Sequence, residues 1–221
     1  MTDRVTRLAG VAGIVFVVLL LIGVFGGGSM PLPDDSVAKI RDFYVDHRGA
    51  LLFINMIELV AIPFALWFAV GLRDLLRGDR LSQLLGTASL AGLLITAPMA
   101  MAGGALQAAP VYVDGAAKEF GDDTLRIIFL GQSLLFAATS AGITVFVLAA
   151  ALGIRQTRVL PAYTMWLGFL AVVGNIVAMF STLGAGVAVL GFAGVTTFAL
   201  FILVTGITMA TGRATAPTAT A

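Results

Sequence analysis

The sequence contains no cysteine and a single histidine, His47, and Asp, Glu, Lys and Arg together make up only 11% of it. Without cysteine there can be no disulfide, thiolate nucleophile, iron–sulfur cluster or thiolate metal site. One histidine excludes paired axial histidines for haem within the chain. No HxxxH pair, serine-hydrolase motif or phosphate loop occurs either. No cofactor and no metal is therefore expected. Soluble domains carry roughly 25% charged residues, so the scarcity of charge also excludes an ordinary soluble fold. A net charge of +1 leaves no basic surplus for nucleic acid.

What is present is apolar: 59% of the residues are hydrophobic and the mean hydropathy is +1.03. Six runs are long enough to cross a bilayer at 1.5 Å rise per residue, about 8–25, 50–72, 81–104, 127–152, 161–180 and 186–210. The first follows Arg4 and Arg7 as a secretory signal would, but it is longer than a signal core of about 7–15 residues and ends in Gly26, Gly27 and Gly28 rather than a cleavage site. It reads as a span. The expected architecture is all-α: one polytopic transmembrane bundle over residues 1–212, then a disordered cytoplasmic tail over 213–221.

Orientation follows from the positive-inside rule. With the N terminus inside, Arg4, Arg7, Arg73, Arg77, Arg80, Arg155, Arg158 and Arg213 are cytoplasmic, against Lys39, Arg41, Arg48, Lys118 and Arg126 outside. Trp67, Tyr163 and Trp166 then fall at inner span ends, as an aromatic belt requires. Both termini are expected in the cytoplasm. In the first outer loop, Pro31 and Pro33 break structure, and Val37, Ile40, Phe43 and Tyr44 follow helical spacing after the capping residues Asp34, Asp35 and Ser36. A short amphipathic helix at the interface is expected there, either as a plain connector or as a gate.

Helix association in lipid leans on close packing of small residues and on interhelical hydrogen bonds. Ala88 with Gly92, Ala100 with Gly104, Ala149 with Gly153, and the series Gly184, Gly186, Gly191 and Gly194 are candidate contact faces. Pro63 and Pro98 fall inside spans, where each removes a backbone hydrogen bond and kinks the helix. No internal repeat is visible that would mark the matched halves of a transporter.

Glu58, in the second run, is the one carboxylate within a span, and an ionisable group in hydrocarbon is expensive and by default a functional candidate. With the topology above, Asn55, Glu58, Gln132 and Asn175 share a layer near the outer ends of their spans, with Gln107, Ser181 and Thr182 just above. His47 precedes Glu58 by about three helical turns and stands over the same face if that helix extends upward. The layer is expected to line a cavity centred on Glu58. The plain alternative is that Glu58 fastens helices by hydrogen-bonding Asn55 or Gln132. Met99 and Met101 suit packing better than soft-metal binding, with no cysteine or second histidine to join them.

Three functional classes stay open. A binding protein for a small apolar or amphipathic molecule, or for a membrane protein partner, asks least of the residues. A small proton-coupled transporter wants more charged groups at the midplane than one glutamate. A membrane-embedded lyase or cyclase using Glu58 as acid needs a second carboxylate, from Asp122 or Asp123, in fixed geometry. The reading therefore leans away from an enzyme.

The opening RVTRLAGVAGIVFVVLLLIGVF and the stretch DDSVAKIRDFYVDHRGALLFINMIELVAIPFALWFAVGLRDLL resemble a group of uncharacterised bacterial multi-pass inner-membrane proteins. The likeness covers about the first 80 residues. It lies in the Arg-flanked first span, the polar segment with a short helix, the apolar second span and the basic connection after it. It implies a bundle of about six helices in the bacterial cytoplasmic membrane and carries no catalytic residues. Arginine outnumbers lysine 11 to 2, which suits a GC-rich bacterial genome.

Overall fold

A computed structural model describes residues 2–183 and 190–212. Its elements are α1 (Thr2–Gly26), α2 (Val37–Asp46), α3 (Arg48–Leu75), α4 (Arg80–Tyr112), α5 (Ala116–Glu119), α6 (Asp122–Thr157), α7 (Ala162–Met179), a 3-10 turn (Phe180–Leu183) and α8 (Gly191–Ala210). The described secondary structure is entirely helical. Helices α1, α3, α4, α6, α7 and α8 are long and apolar enough to cross a membrane. Large apolar side chains such as Ile22, Phe25, Phe53, Met56 and Leu94 stand exposed on them, which an aqueous surface would not tolerate in such numbers.

The six long helices form a closed ring. Each packs against its neighbour in sequence, and α8 returns to pack on α1. Helix α6 also touches α8 across the ring, so the centre is filled there. Phe146 of α6 meets Phe198 and Phe201 of α8 edge-on at centroid distances of 6.0 and 6.2 Å, and Phe16 of α1 meets Phe198 at 6.0 Å. These edge-to-face contacts place positive ring edges on negative faces.

Glycine sets the distances between the long helices. A Cβ built on Gly92 of α4 would lie 2.5 Å from Phe146 N and 2.6 Å from Gly142 O of α6, so the two backbones touch. At the ring closure, a Cβ on Gly10 would lie 2.5 Å from both Gly206 O and Ala210 N. Gly174 and Gly194 bring α7 and α8 together over Thr197 and Ala178. Gly92 and Gly194 are among the contacts expected from sequence; Gly10, Gly142 and Gly206 are not. Gly184, Gly186 and the segments 186–189 and 213–221 lie outside the described residues.

Several helices outrun their apolar stretches. Helix α4 continues through Ala105, Gln107, Ala108, Ala109 and Pro110 to Tyr112, and α6 begins at Asp122 rather than near 127. Alanine favours helix where hydropathy sees only a weak signal, and Val111 is buried against α2 and α6. Asp122 and Asp123 sit in the first turn of α6, where the helix dipole favours negative charge. The polar connection expected over 105–126 thus shrinks to a few residues around α5.

Helix α2 starts at Ser36, whose hydroxyl accepts the Lys39 N–H at 3.3 Å. Its Ile40, Phe43 and Tyr44 are buried with Leu51, Val111, Ala117, Leu125 and Phe129. The apolar face that suggested contact with lipid is covered by α5, α6 and the ends of α3 and α4. Arg41 fixes it further, donating to Ala117 O and pairing with Asp122 Oδ1 at 2.6 Å. Helix α2 therefore caps one end of the ring.

At the opposite end, Asp79 caps α4. Its carboxylate accepts the Ser82 N–H at 2.8 Å and the Gln156 Nε2–H at 3.1 Å, tying α4 to α6. The Ser82 backbone bond, helped by the other donors, holds this carboxyl below the usual range. A depressed folded-state pKa contributes stability above the unfolded value, and that contribution is lost as pH falls through the folded one. The thermal midpoint of the detergent-solubilised protein is expected to drop between pH 5 and pH 3. Asp79→Asn, which keeps the cap, should flatten that slope. An unchanged slope in the variant would remove Asp79 from the account.

Candidate functional site

Leu51, Ile54, Ala61, Ala65, Phe68 and Leu72 form the buried stripe of α3. Glu58 falls on that stripe, four residues after Ile54 and three before Ala61, so the helical repeat aims it at the ring interior. Its head confirms the direction. Oε1 lies 3.5 Å from where a Gly23 Cβ of α1 would stand, and Oε2 lies 3.4 Å from that of Gly104 on α4. The carboxyl therefore reaches between the two helices that flank α3, with a glycine on each side. Unlike its stripe neighbours it is only half-buried. Among the described residues, no hydrogen bond or ion pair reaches it.

The fastening expected of Glu58 is done by Asn55. One turn earlier on α3, Asn55 Nδ2 donates to Gly104 O at 2.6 Å and bolts α3 to α4. The glycine permits it, since a Cβ on Gly104 would stand 2.9 Å from that nitrogen. Asn55, Glu58, Gly23 and Gly104 thus make one local constellation.

The other candidates each make their own local contacts. Gln132, fully buried on α6, accepts a 3.2 Å hydrogen bond from Tyr44 of α2 at Oε1. Burial raises the Tyr44 phenol pKa above its usual range, more than the Gln132 bond lowers it, and the hydroxyl stays a donor. Gln107 of α4 is buried and bonded to no described residue. Asn175 donates to Ala171 O at 2.9 Å and Gly194 O at 3.4 Å and serves the α7–α8 contact. His47 sits at the bend between α2 and α3, folded back on α2: its ring stacks on Phe43 at 4.9 Å and Nδ1 is 3.1 Å from Phe43 O. A Cβ on Gly28, whose φ is +73°, would lie 2.8 Å from its Nε2. His47 therefore closes the α1–α2 corner, and it meets α1 at Gly28 as Glu58 does at Gly23. Met101 is about half exposed on the surface of α4, as a packing or lipid-facing residue would be.

Tyr44, Gly23 and Gly104 are the site residues that sequence reasoning missed. Gly104 carried a signal, as half of a small-residue pair, but read only as packing. Tyr44 was placed on the apolar face of α2 without a partner.

Chemically, the constellation offers a carboxyl with unused hydrogen-bonding capacity beside two backbone surfaces bare of side chains. Among the described residues no three of His, Asp and Glu converge to hold a metal ion. Two open grooves lie elsewhere: an apolar one of about 380 Å³ between α1 and α3, lined by Leu8, Val11, Val15, Pro63, Phe64 and Trp67, and one of about 280 Å³ along α8 beside Tyr163 and Thr208. The kink residue Pro63 borders the first. Comparison with protein-family models, with curated protein sequences and with solved structures finds no match to this chain.

Proposed function

We propose that this is a multi-pass protein of the bacterial inner membrane that binds a small amphipathic molecule at Glu58, near the outer leaflet. The observation that carries the reading is the unbonded carboxyl between Gly23 and Gly104. A purely structural glutamate in hydrocarbon would have its hydrogen bonds satisfied, because an unpaired buried polar group costs roughly 1–3 kcal/mol. Orientation rests on the charge count: Arg73, Arg77, Arg80, Arg155 and Arg158 gather at the end opposite α2, where Trp67 and Trp166 are also exposed. That end is assigned to the cytoplasm together with both termini. Helix α2 then caps the bundle at the outer interface.

The decisive measurement is mass spectrometry of what co-purifies in mild detergent from the native chain, Glu58→Ala and Asn175→Ala. The expected result is one defined small molecule in the native protein, absent from Glu58→Ala and retained by Asn175→Ala, whose loss lowers only the thermal midpoint. If nothing defined is retained by the native protein, or if Glu58→Ala melts lower and keeps the molecule, the reading is overturned.

A further inference from the structure

Between α4 and α6, beneath α2, two buried amides are each left incomplete: Gln107 Oε1, an acceptor, and Gln132 Nε2, a donor, have no hydrogen-bond partner among the described residues. Both side chains are more than nine-tenths buried. The register of the two helices puts them at one height. A Cβ on Gly103 would lie 3.1 Å from the Phe136 ring, and one on Gly131 would lie 3.2 Å from the Leu106 side chain. Gln107 is therefore level with the residues around Gly131, one position from Gln132. The Tyr44 hydroxyl orients the Gln132 amide, donating to Oε1 and so leaving Nε2 as the unpaired donor.

A donor and an acceptor at the same level that do not bond each other can be completed together by one hydroxyl that bonds both. We propose that Gln107 and Gln132 bind the hydroxyl of an uncharged amphipathic alcohol, one oxygen donating to Gln107 Oε1 and accepting from Gln132 Nε2. This rests on the proposed binding function and names its ligand class. An anionic head finds no free partner in Arg41, the cation of the adjoining α2 cap, because it pairs with Asp122 at 2.6 Å. On α3, Asn55 and Glu58 continue the polar line from Gly104, one turn below Gln107, so the same molecule can lie across both points.

The test compares 1-dodecanol with dodecyl methyl ether, which has the same chain but no donor, by measuring each radiolabelled compound retained on the detergent-solubilised full chain after subtraction of empty micelles. The alcohol is expected to be retained about tenfold or more over the ether, the discrimination one buried hydrogen bond supplies. Gln107→Leu and Gln132→Leu should each erase the preference. Gln107→Leu should fold with a thermal midpoint equal to or above the native value, because it removes an unsatisfied amide and breaks no bond, whereas Gln132→Leu also strands the buried Tyr44 hydroxyl and should melt lower. Equal retention of alcohol and ether by the native chain overturns the proposal. So does a preference left intact by Gln107→Leu, which would make that glutamine structural. Loss of the co-purifying molecule in Glu58→Ala alongside equal retention here would sink the alcohol while leaving the Glu58 site standing.

Discussion

Gly92→Leu is expected to prevent the bundle from closing, with a loss of at least about 3 kcal/mol, the upper range for overpacking a tight core. Most glycine substitutions in a membrane helix have a softer outcome, since the new side chain pushes another side chain aside. Here the obstacle is backbone. The first added carbon already meets Phe146 N and Gly142 O inside van der Waals distance, and α6 cannot yield without carrying Phe146 off Phe198 and Phe201. The same backbone meets α4 from the other side, because a Cβ on Gly142 would strike Gly92 O at 2.7 Å and the Thr96 hydroxyl closer still. Denaturation in SDS-containing mixed micelles, followed by tryptophan fluorescence, checks this. A variant with native stability would mean that α4 and α6 are held apart in the membrane.

Gly104→Leu is expected to abolish ligand retention, by about 100-fold or more, while leaving the spans inserted. A side chain there occupies the space beside Glu58 Oε2 and displaces Asn55 Nδ2 from Gly104 O. The loss combines exclusion of the ligand with a broken interhelical bond, the latter worth about 0.6–2 kcal/mol in membranes. Gly23→Ala separates the two effects. Its Cβ comes only to 3.5 Å from Glu58, an ordinary contact, and touches no hydrogen bond. Retention by Gly23→Ala with loss in Gly104→Leu, measured on the co-purified molecule by mass spectrometry, is the expected pattern. Equal retention in both would place the ligand away from the α1–α4 side of Glu58.

The contrast between these glycines shows what the sequence could reveal. The six long helices were legible because hydrocarbon imposes a length and a composition, and Ile14 or Val147 states that requirement residue by residue. The ends were less so: hydropathy loses α4 at Ala105, although alanine carries the helix on to Tyr112. Glu58 was legible by its cost. Its surroundings were not, since Gly23 and Gly104 come from different helices and become meaningful only through the registers of α1 and α4 on α3. The partners of the other polar residues were hidden for the same reason. Depth along a helix can be counted from sequence, but azimuth around the ring depends on packing, and packing directs Asn175 to Gly194 and His47 to Phe43.

The closure of the ring by α8 on α1 also sets an order of events during synthesis. Gly10 and Gly206 are nearly 200 residues apart, which at the usual elongation rate of about 5–20 residues per second separates their emergence by roughly 10–40 s. Throughout that interval the glycine face of α1 lies in the membrane without its partner. Helices α3, α4, α6 and α7 can pair one after another as they leave the translocon, but the last seam forms only at the end. A chain stalled before α8 would therefore present an open arc with a bare Gly10 face, the kind of surface by which membrane quality control can tell an unfinished protein from a finished one.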